Sequence, residues 1–178
     1  MKGIQPVPSS IDLIDAIEQM QWGNSVSILS VKKIILWGQW ARFDPRLAEV
    51  WVSWVSAHWS RLNALELNSY LRAAVWPSAL GPLLDQAVVL ISDTELKLFK
   101  HWKQLCLSGV EPAAGELYWI GLYPFYSKSQ QTLHLQSHKS YRNWGYLGSD
   151  WVINKAAEHI DEKHTVLTQF QREQVLQS

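Results

Sequence analysis

Eleven tryptophans in a chain of 178 residues constrain how this sequence folds more than any other feature. Six of them fall within residues 22–59, where Trp37/Trp40 and Trp51/Trp54 have the three-residue spacing of one helix face. An indole ring gains much from burial, but its N–H needs a hydrogen-bond partner, which suits tryptophan equally to cores and to interfaces. We therefore expect helices that bury many of these rings and a surface where the surplus meets another protein.

Charge and cysteine content narrow the classes of function. The sixteen basic and sixteen acidic residues cancel, so the chain lacks the strongly basic balance of a dedicated nucleic-acid-binding protein. A net charge near zero gives weak protection against self-association, which favours a partner chain or an oligomer. Because Cys106 is the one cysteine, an intrachain disulfide and a cysteine-rich zinc site are excluded, and a reducing compartment is indicated.

The sequence shows no targeting or membrane segment. The stretch Met1–Pro8 has two prolines and no continuous apolar run, which argues against a secretory signal. No apolar stretch approaches the roughly 20 residues that a transmembrane helix requires. These features predict a cytoplasmic protein without a membrane span.

Helical spacing of apolar residues recurs along most of the chain and predicts a mainly α-helical fold. We expect a compact single domain over residues 1–178 with about six to eight helices. Its predicted parts are an extended lead over 1–9, a helical core over 10–109, an aromatic and polar loop or hairpin layer over 110–148, and C-terminal helices over 149–178.

The first predicted helix follows the proline-containing lead. Ser9 or Ser10 can cap it, because a serine hydroxyl accepts a hydrogen bond from a free amide of the first turn. Ile11, Ile14 and Ile17 share one face of this helix. That face is the expected contact with the core.

The strongest helix signal is Asp44–Pro45, in which an aspartate cap precedes a proline at the first helical position. It predicts a helix from Arg46 to about Leu65. The apolar stripe of this helix consists of Leu47, Trp51, Trp54, Val55, His58, Leu62 and Leu65. Val52 and Trp59 lie on one flank of the stripe.

Two other segments carry weaker or different signals. Val26–Phe43 fits either a helix capped by Ser30 or a buried strand, and the pair Lys32–Lys33 favours the helix. Ser92–Glu95 has the pattern of a capping box before a helix that ends at Leu107. The predicted apolar stripe of this later helix is Leu98, Trp102 and Leu105.

After residue 115 the sequence becomes rich in aromatic and polar residues. The run Leu117–Tyr123 fits a strand, and Gln131–Gln136 is its candidate partner in a small hairpin. A short helix is the competing interpretation of the same run. The periodicity leaves both open.

The chain shows no assembled catalytic signature, and its surplus of large aromatic residues points to protein docking. We predict a non-enzymatic intracellular interaction module, such as an adaptor, a chaperone-like subunit or a structural component of a larger assembly. Its predicted docking residues are Trp59, Val52, Trp37 and Trp40. The predicted partner is another protein chain, in a hetero-complex or a homo-oligomer, and no cofactor is expected.

Nucleic-acid binding is the alternative, because aromatic rings beside cations suit single-stranded nucleic acid. The candidate patch combines a basic helix side with the aromatic segment after residue 123. Its residues are Lys97, Lys100, Lys103, Lys128, Lys139, Arg142, Tyr141 and Trp144. The neutral charge of the whole chain weighs against this hypothesis.

A metal-dependent enzyme is the weakest hypothesis. It would use the histidines His134, His138, His159 and His164. The segment 134–138 lacks the glutamate of the zinc-protease motif, and no phosphate-binding glycine loop occurs. His58 and Cys106 fall near apolar stripes, where a core role is expected for both side chains.

Overall fold

The structure, a computed structural model, describes residues 7–22, 29–120 and 137–148. Seven α-helices lie within these ranges and confirm the mainly α-helical fold: α1 (Ser10–Trp22), α2 (Val31–Trp40), α3 (Pro45–His58), α4 (Ala64–Arg72), α5 (Leu80–Ala87), α6 (Leu96–Cys106) and α7 (Lys139–Asn143). Short 3-10 turns occupy Trp59–Arg61, Pro77–Ala79 and Val88–Leu90. The helices predicted over 149–178 lie outside the described residues.

Serine caps fix where the first two helices begin. The Ser9 hydroxyl accepts from the Asp12 amide at 3.2 Å, and the Asp12 carboxylate accepts from the Ser9 amide at 2.8 Å. Ser30 caps α2 by accepting a hydrogen bond from the Lys33 amide at 3.4 Å. These bonds satisfy amides that have no partner within a helix. The ambiguous segment is therefore a helix from Val31 onwards, and not a strand.

The long helix predicted over residues 46–65 is two helices. Asp44 caps α3 as expected, accepting from the Arg46 amide at 2.9 Å. Asn63 caps a separate helix, α4, by accepting from the Leu65 amide at 3.0 Å. An asparagine side chain competes well for free amides, so it starts a new helix where apolar periodicity alone continued the old one.

The core is built around α3, which packs against α1, α2 and α5. Trp51 on α3 is fully buried, and its Nε1 donates to the Ile34 carbonyl of α2 at 2.8 Å. On the other side, α4 packs against α6, and Trp102 Nε1 donates to the Leu62 carbonyl at 2.9 Å. Both indoles thus bury their rings and also satisfy their N–H groups.

A small layer after α6 contains two short strands, β1 (Glu116–Leu117) and β2 (Tyr146–Leu147). They pair in parallel, with Glu116 opposite Tyr146 and Leu117 opposite Leu147. Within the described ranges the strand at 116 therefore belongs to a parallel bridge with Tyr146–Leu147, and the hairpin stays a prediction. Its proposed partner, Gln131–Gln136, lies outside the described residues.

Arg42, just after α2, attaches this layer to the helices. Its buried guanidinium donates from Nε to the Tyr118 carbonyl at 3.2 Å and from Nη2 to the Leu117 carbonyl at 2.8 Å. The Nη2 atom also lies 3.3 Å from the Glu116 carboxylate. The Tyr146 ring lies 4.9 Å from the guanidinium carbon. One planar cation thus holds both strands to the helical core.

Candidate protein-docking surfaces

The predicted docking residues do not form an open surface. Trp37, Val52 and Trp59 are buried, and Trp40 is half-buried. The Trp59 ring is covered by α6, whose Phe99 ring packs against it edge-on at 5.5 Å. Helix α6 thus covers the flank of α3 that the sequence predicted as a docking surface. A docking surface on this fold has to lie elsewhere.

Trp22 is the exposed indole among the ten tryptophans of the described ranges. Six of those ten are buried and three are half-buried, whereas Trp22 is 77% exposed at the end of α1. Sequence reasoning did not select it. The available signal was its spacing, because Trp22 follows Ile11 by three helical turns and therefore lies on the same face.

Helix α1 has two apolar faces, and the fold buries only one. Ala16 and Met20 are buried against the core, while Ile11 is 71% exposed and Ile14 is also exposed. The isoleucine face was expected to contact the core, and this prediction is wrong for Ile11 and Ile14. We name Ile11, Ile14 and Trp22, together with Asp15 and Glu18 on the same side of the helix, the α1 face.

A groove runs between the α1 face and the start of α3. Its volume is about 480 Å³, and it is lined by Ile14, Ile17, Glu18, Gln21, Trp22, Arg46, Glu49 and Val50. The α1 side of the groove carries one acidic residue, Glu18, and α1 has no basic residue. An exposed apolar surface bordered by polar groups is typical of a protein-interaction site.

Helix α6 repeats this arrangement with the opposite charge. Phe99, Trp102 and Cys106 are buried, whereas Leu98 is 64% exposed and Leu105 is also exposed. The predicted stripe of Leu98, Trp102 and Leu105 is therefore wrong for its two leucines. The rings of Phe99 and Trp102 stack at 5.5 Å, and these larger groups turn the helix so that the leucines face outward.

The exposed leucines of α6 lie on the side next to α4. Trp102 Nε1 donates to the carbonyl of Leu62, just before α4. Lys103, on the opposite flank of α6, pairs with Asp85 of α5 at 2.6 Å. Leu65 is 67% exposed and lies on the same side of α4 as Asn68, whose side chain donates to carbonyls at the end of α6. We name Leu65, Leu98 and Leu105, together with Lys97 and His101, the α6 face.

The candidate nucleic-acid patch is only partly assembled. Lys97, Lys100, Lys139 and Arg142 are exposed, and Lys103 is held by Asp85. Lys128 lies outside the described residues. The cations alone do not distinguish nucleic acid from an acidic protein surface.

The aromatic residues of the candidate nucleic-acid patch make contacts within the fold. Tyr141 is fully buried, 4.9 Å from the Tyr118 ring, and its hydroxyl accepts from Gln86 at 2.8 Å. Trp144 is half-buried, and its Nε1 donates to Asp85 at 3.1 Å. The expectation that Tyr141 presents a ring to a base is therefore corrected, because the ring belongs to the core.

A small apolar cavity in the described core offers no ligand site. It lies beside Cys106 and leaves about 10 Å³, walled by apolar side chains such as Leu67 and Leu84. That volume is barely enough for one water, and its walls supply no polar partners. Burial raises the pKa of the Cys106 thiol to about 12, which disfavours the nucleophilic thiolate. Cys106 thus acts as a small apolar side chain, as expected.

Two of the three histidines in the described segments, His58 and His138, have structural partners. His138 Nδ1 accepts from the Ser140 amide at 3.3 Å and caps α7. His58 stacks on the Trp54 ring and bonds the Trp54 carbonyl at 2.8 Å, within its own helix. No metal-binding cluster of His, Cys, Asp or Glu occurs in the described part of the chain. His134, His159 and His164 lie outside it.

Comparison of the chain with protein-family models, with curated proteins and with solved structures found no match. Across residues 7–22, 29–120 and 137–148, no helix is long and apolar enough to span a membrane. The α1 face, its groove and the α6 face are therefore the features of the described fold that bear on function.

Proposed function

We propose that this chain is a non-enzymatic protein-interaction module that binds an amphipathic helix in the groove between α1 and α3. The observation that carries the proposal is the open α1 face, where Ile11, Ile14 and Trp22 are exposed beside a groove of about 480 Å³. Recognition of a helix by an apolar groove uses side chains spaced along one face of the bound helix. The lone buried Cys106 supports an intracellular, reducing setting.

Charge selects the kind of helix. Glu18 of α1 lines the groove, Asp15 lies beside it on the α1 face, and α1 has no basic residue. The exposed guanidinium of Arg46 is already paired with Asp44 at 2.7 Å. A partner helix with lysine or arginine beside its apolar stripe would therefore match this surface, because opposite charges steer encounter and suppress wrong partners.

Trp22 is the expected anchor of the interaction. Tryptophan is enriched among the few interface residues that dominate binding energy. Because the Trp22 ring is 77% exposed, its removal leaves the core intact. The fold and the binding can thus be separated experimentally.

The test is a fluorescence-anisotropy titration with a labelled amphipathic helix made of leucine and lysine. We expect binding to the unaltered chain and a dissociation constant raised at least about tenfold by Trp22→Ala. Val89→Ala is the matched control, because Val89 is 59% exposed and lies outside both faces.

A second probe with glutamate in place of lysine tests the charge argument. This acidic helix should bind at least about tenfold more weakly than the basic one. Equal binding of both probes, or equal binding by the Trp22→Ala and Val89→Ala variants, would contradict the proposal.

A further inference from the structure

Resting on the proposed function, we infer that the occupant of the α1–α3 groove is the α6 face of a second copy of this chain. Helix α6 is an amphipathic helix with the required properties: exposed leucines on one side, with Lys97 and His101 beside them. It is part of the folded protein, so its partner would receive a rigid, preformed helix.

The two faces match in charge. Helix α1 carries three acidic residues and no basic one, whereas α6 carries Lys97, Lys100 and Lys103 and no acidic one. Lys103 is held by Asp85, and Lys100 lies about 160° from Leu98 around the helix, so the exposed lysine of the α6 face is Lys97. Opposed patches of this kind attract across an interface, while two α1 faces or two α6 faces would repel.

The two faces also match in apolar surface. Each offers three large exposed side chains, Ile11, Ile14 and Trp22 on one and Leu65, Leu98 and Leu105 on the other. One repeated contact would cover both apolar surfaces. A foreign partner on the α1 face would leave the α6 face open, so a second copy accounts for more of the exposed surface than any single foreign helix.

Such a contact is head-to-tail, because the surfaces that meet are different. The α1 face lies on a helix packed against α3, and the α6 face lies on a helix packed against α4. A head-to-tail contact between identical chains gives a ring if the rotation closes and an open chain if it does not. Each copy carries both an acidic α1 face and a basic α6 face, so a chain with a net charge of zero can form either the ring or the open chain.

Complementation between two variants tests the inference on the full chain by sedimentation velocity. Trp22→Lys disables the α1 face, and Leu98→Glu disables the α6 face, each by placing a repelling charge. We expect each variant alone to be a monomer, with its dissociation constant raised at least about tenfold. An equimolar mixture should form a one-to-one dimer, because each variant retains the face that the other lacks.

Val89→Lys is the matched control and should self-associate like the unaltered chain. Circular dichroism of each variant checks that the helices are intact, and a variant that fails this check is replaced by Ile11→Lys or Leu105→Glu on the same face. Loss of association in both variants without recovery in the mixture would overturn the head-to-tail contact.

The outcomes also separate this inference from the proposed function. If the unaltered chain is monomeric at all concentrations while the leucine–lysine helix still binds at Trp22, the second copy is overturned and the interaction module stands. If neither the helix nor a second copy binds, both proposals fail.

Discussion

Arg42 is a single residue that joins the short strands after α6 to the helical core. Its guanidinium is buried, donates to the Tyr118 and Leu117 carbonyls, and lies 5.1 Å from the Trp76 ring and 4.9 Å from the Tyr146 ring. A buried cation is favourable only when hydrogen bonds and aromatic faces replace its water. Nothing in the local sequence around residue 42 announces these partners, which lie far along the chain.

Replacing Arg42 should therefore be costly. In Arg42→Met, the Leu117 and Tyr118 carbonyls lose the guanidinium donor, and we expect the free energy of unfolding to fall by about 3 kcal/mol. Urea denaturation measures the change. Arg46→Met is the matched control, because the Arg46 guanidinium is 71% exposed, and it should cost less than about 1 kcal/mol. Equal losses in the two variants would contradict the role of Arg42.

Asp44 gives a prediction about pH. Burial opposes ionisation of its carboxyl, but the hydrogen bonds and charge of Arg46 outweigh burial and lower the pKa from 3.8. Because the folded pKa is below the unfolded one, this stabilisation is present above the unfolded pKa and is lost as pH falls through the folded pKa.

The variant Asp44→Asn, which keeps a cap oxygen but no charge, isolates this effect. We expect it to be less stable than the unaltered chain at pH 6, by about 1 kcal/mol, and the difference to vanish in strong acid. Urea midpoints measured across the acidic range give the comparison. A difference that persists at the lowest pH would show that the charge of Asp44 is not its source.

At the scale of elements, two glycines with left-handed backbone shape the layer after α6. Gly145 has φ +70°, and a Cβ there would clash with the Ala113 backbone. Gly115 has φ +79°, but a Cβ there would meet nothing within 4 Å. The Gly145 carbonyl accepts from the Gly115 amide at 2.8 Å, so both glycines adjoin the parallel bridge.

This pair separates backbone strain from steric fit. Gly115→Ala should cost about 1 kcal/mol for its left-handed backbone alone. Gly145→Ala should cost about 3 kcal/mol, because it adds a clash that the Ala113 backbone cannot avoid without moving. Thermal or urea denaturation of the two variants gives the difference. Equal costs would mean that the contact with Ala113 relaxes freely.

Local signals predicted the elements well. Ser9, Ser30 and Asp44 cap helices as their positions indicated, because a cap depends only on neighbours within one turn. Asn63 was the missed cap, and it divided one predicted helix into two. Element type and start thus followed from residues close in sequence, except at α6. There Ser92 donates to the Glu95 carboxylate at 2.9 Å, and the helix begins at Leu96 with no side-chain cap, so the predicted capping box is wrong.

The buried faces were harder to predict, because both sides of α1 and of α6 are apolar. Periodicity selected Ile11 and Ile14, yet the fold buries Ala16 and Met20; it selected Leu98, yet the fold buries its neighbour Phe99. Which face is buried depends on helices that come from elsewhere in the chain. The parallel bridge was missed for the same reason, since its strands lie far apart in the sequence.

At the scale of the whole molecule, the inferred contact between copies predicts a dependence on salt. Raising sodium chloride from 0.1 M to 1 M shortens the screening length from about 10 Å to about 3 Å. Attraction between the acidic α1 face and the basic α6 face should weaken, and we expect the dissociation constant of self-association to rise several-fold. Sedimentation velocity across this range measures it. Association that is unchanged or tightened by salt would contradict the charge match.

The rate at which the buried Cys106 thiol is modified should report how often the folded chain opens. Because burial raises the pKa of this thiol to about 12, a labelling reagent at neutral pH meets almost no thiolate in the folded protein. Modification should require exposure of the cavity that α2 to α6 enclose, so its rate follows the population of opened molecules. Any variant, ligand or second copy that stabilises the folded chain should slow that reaction in proportion, without a spectroscopic probe being added.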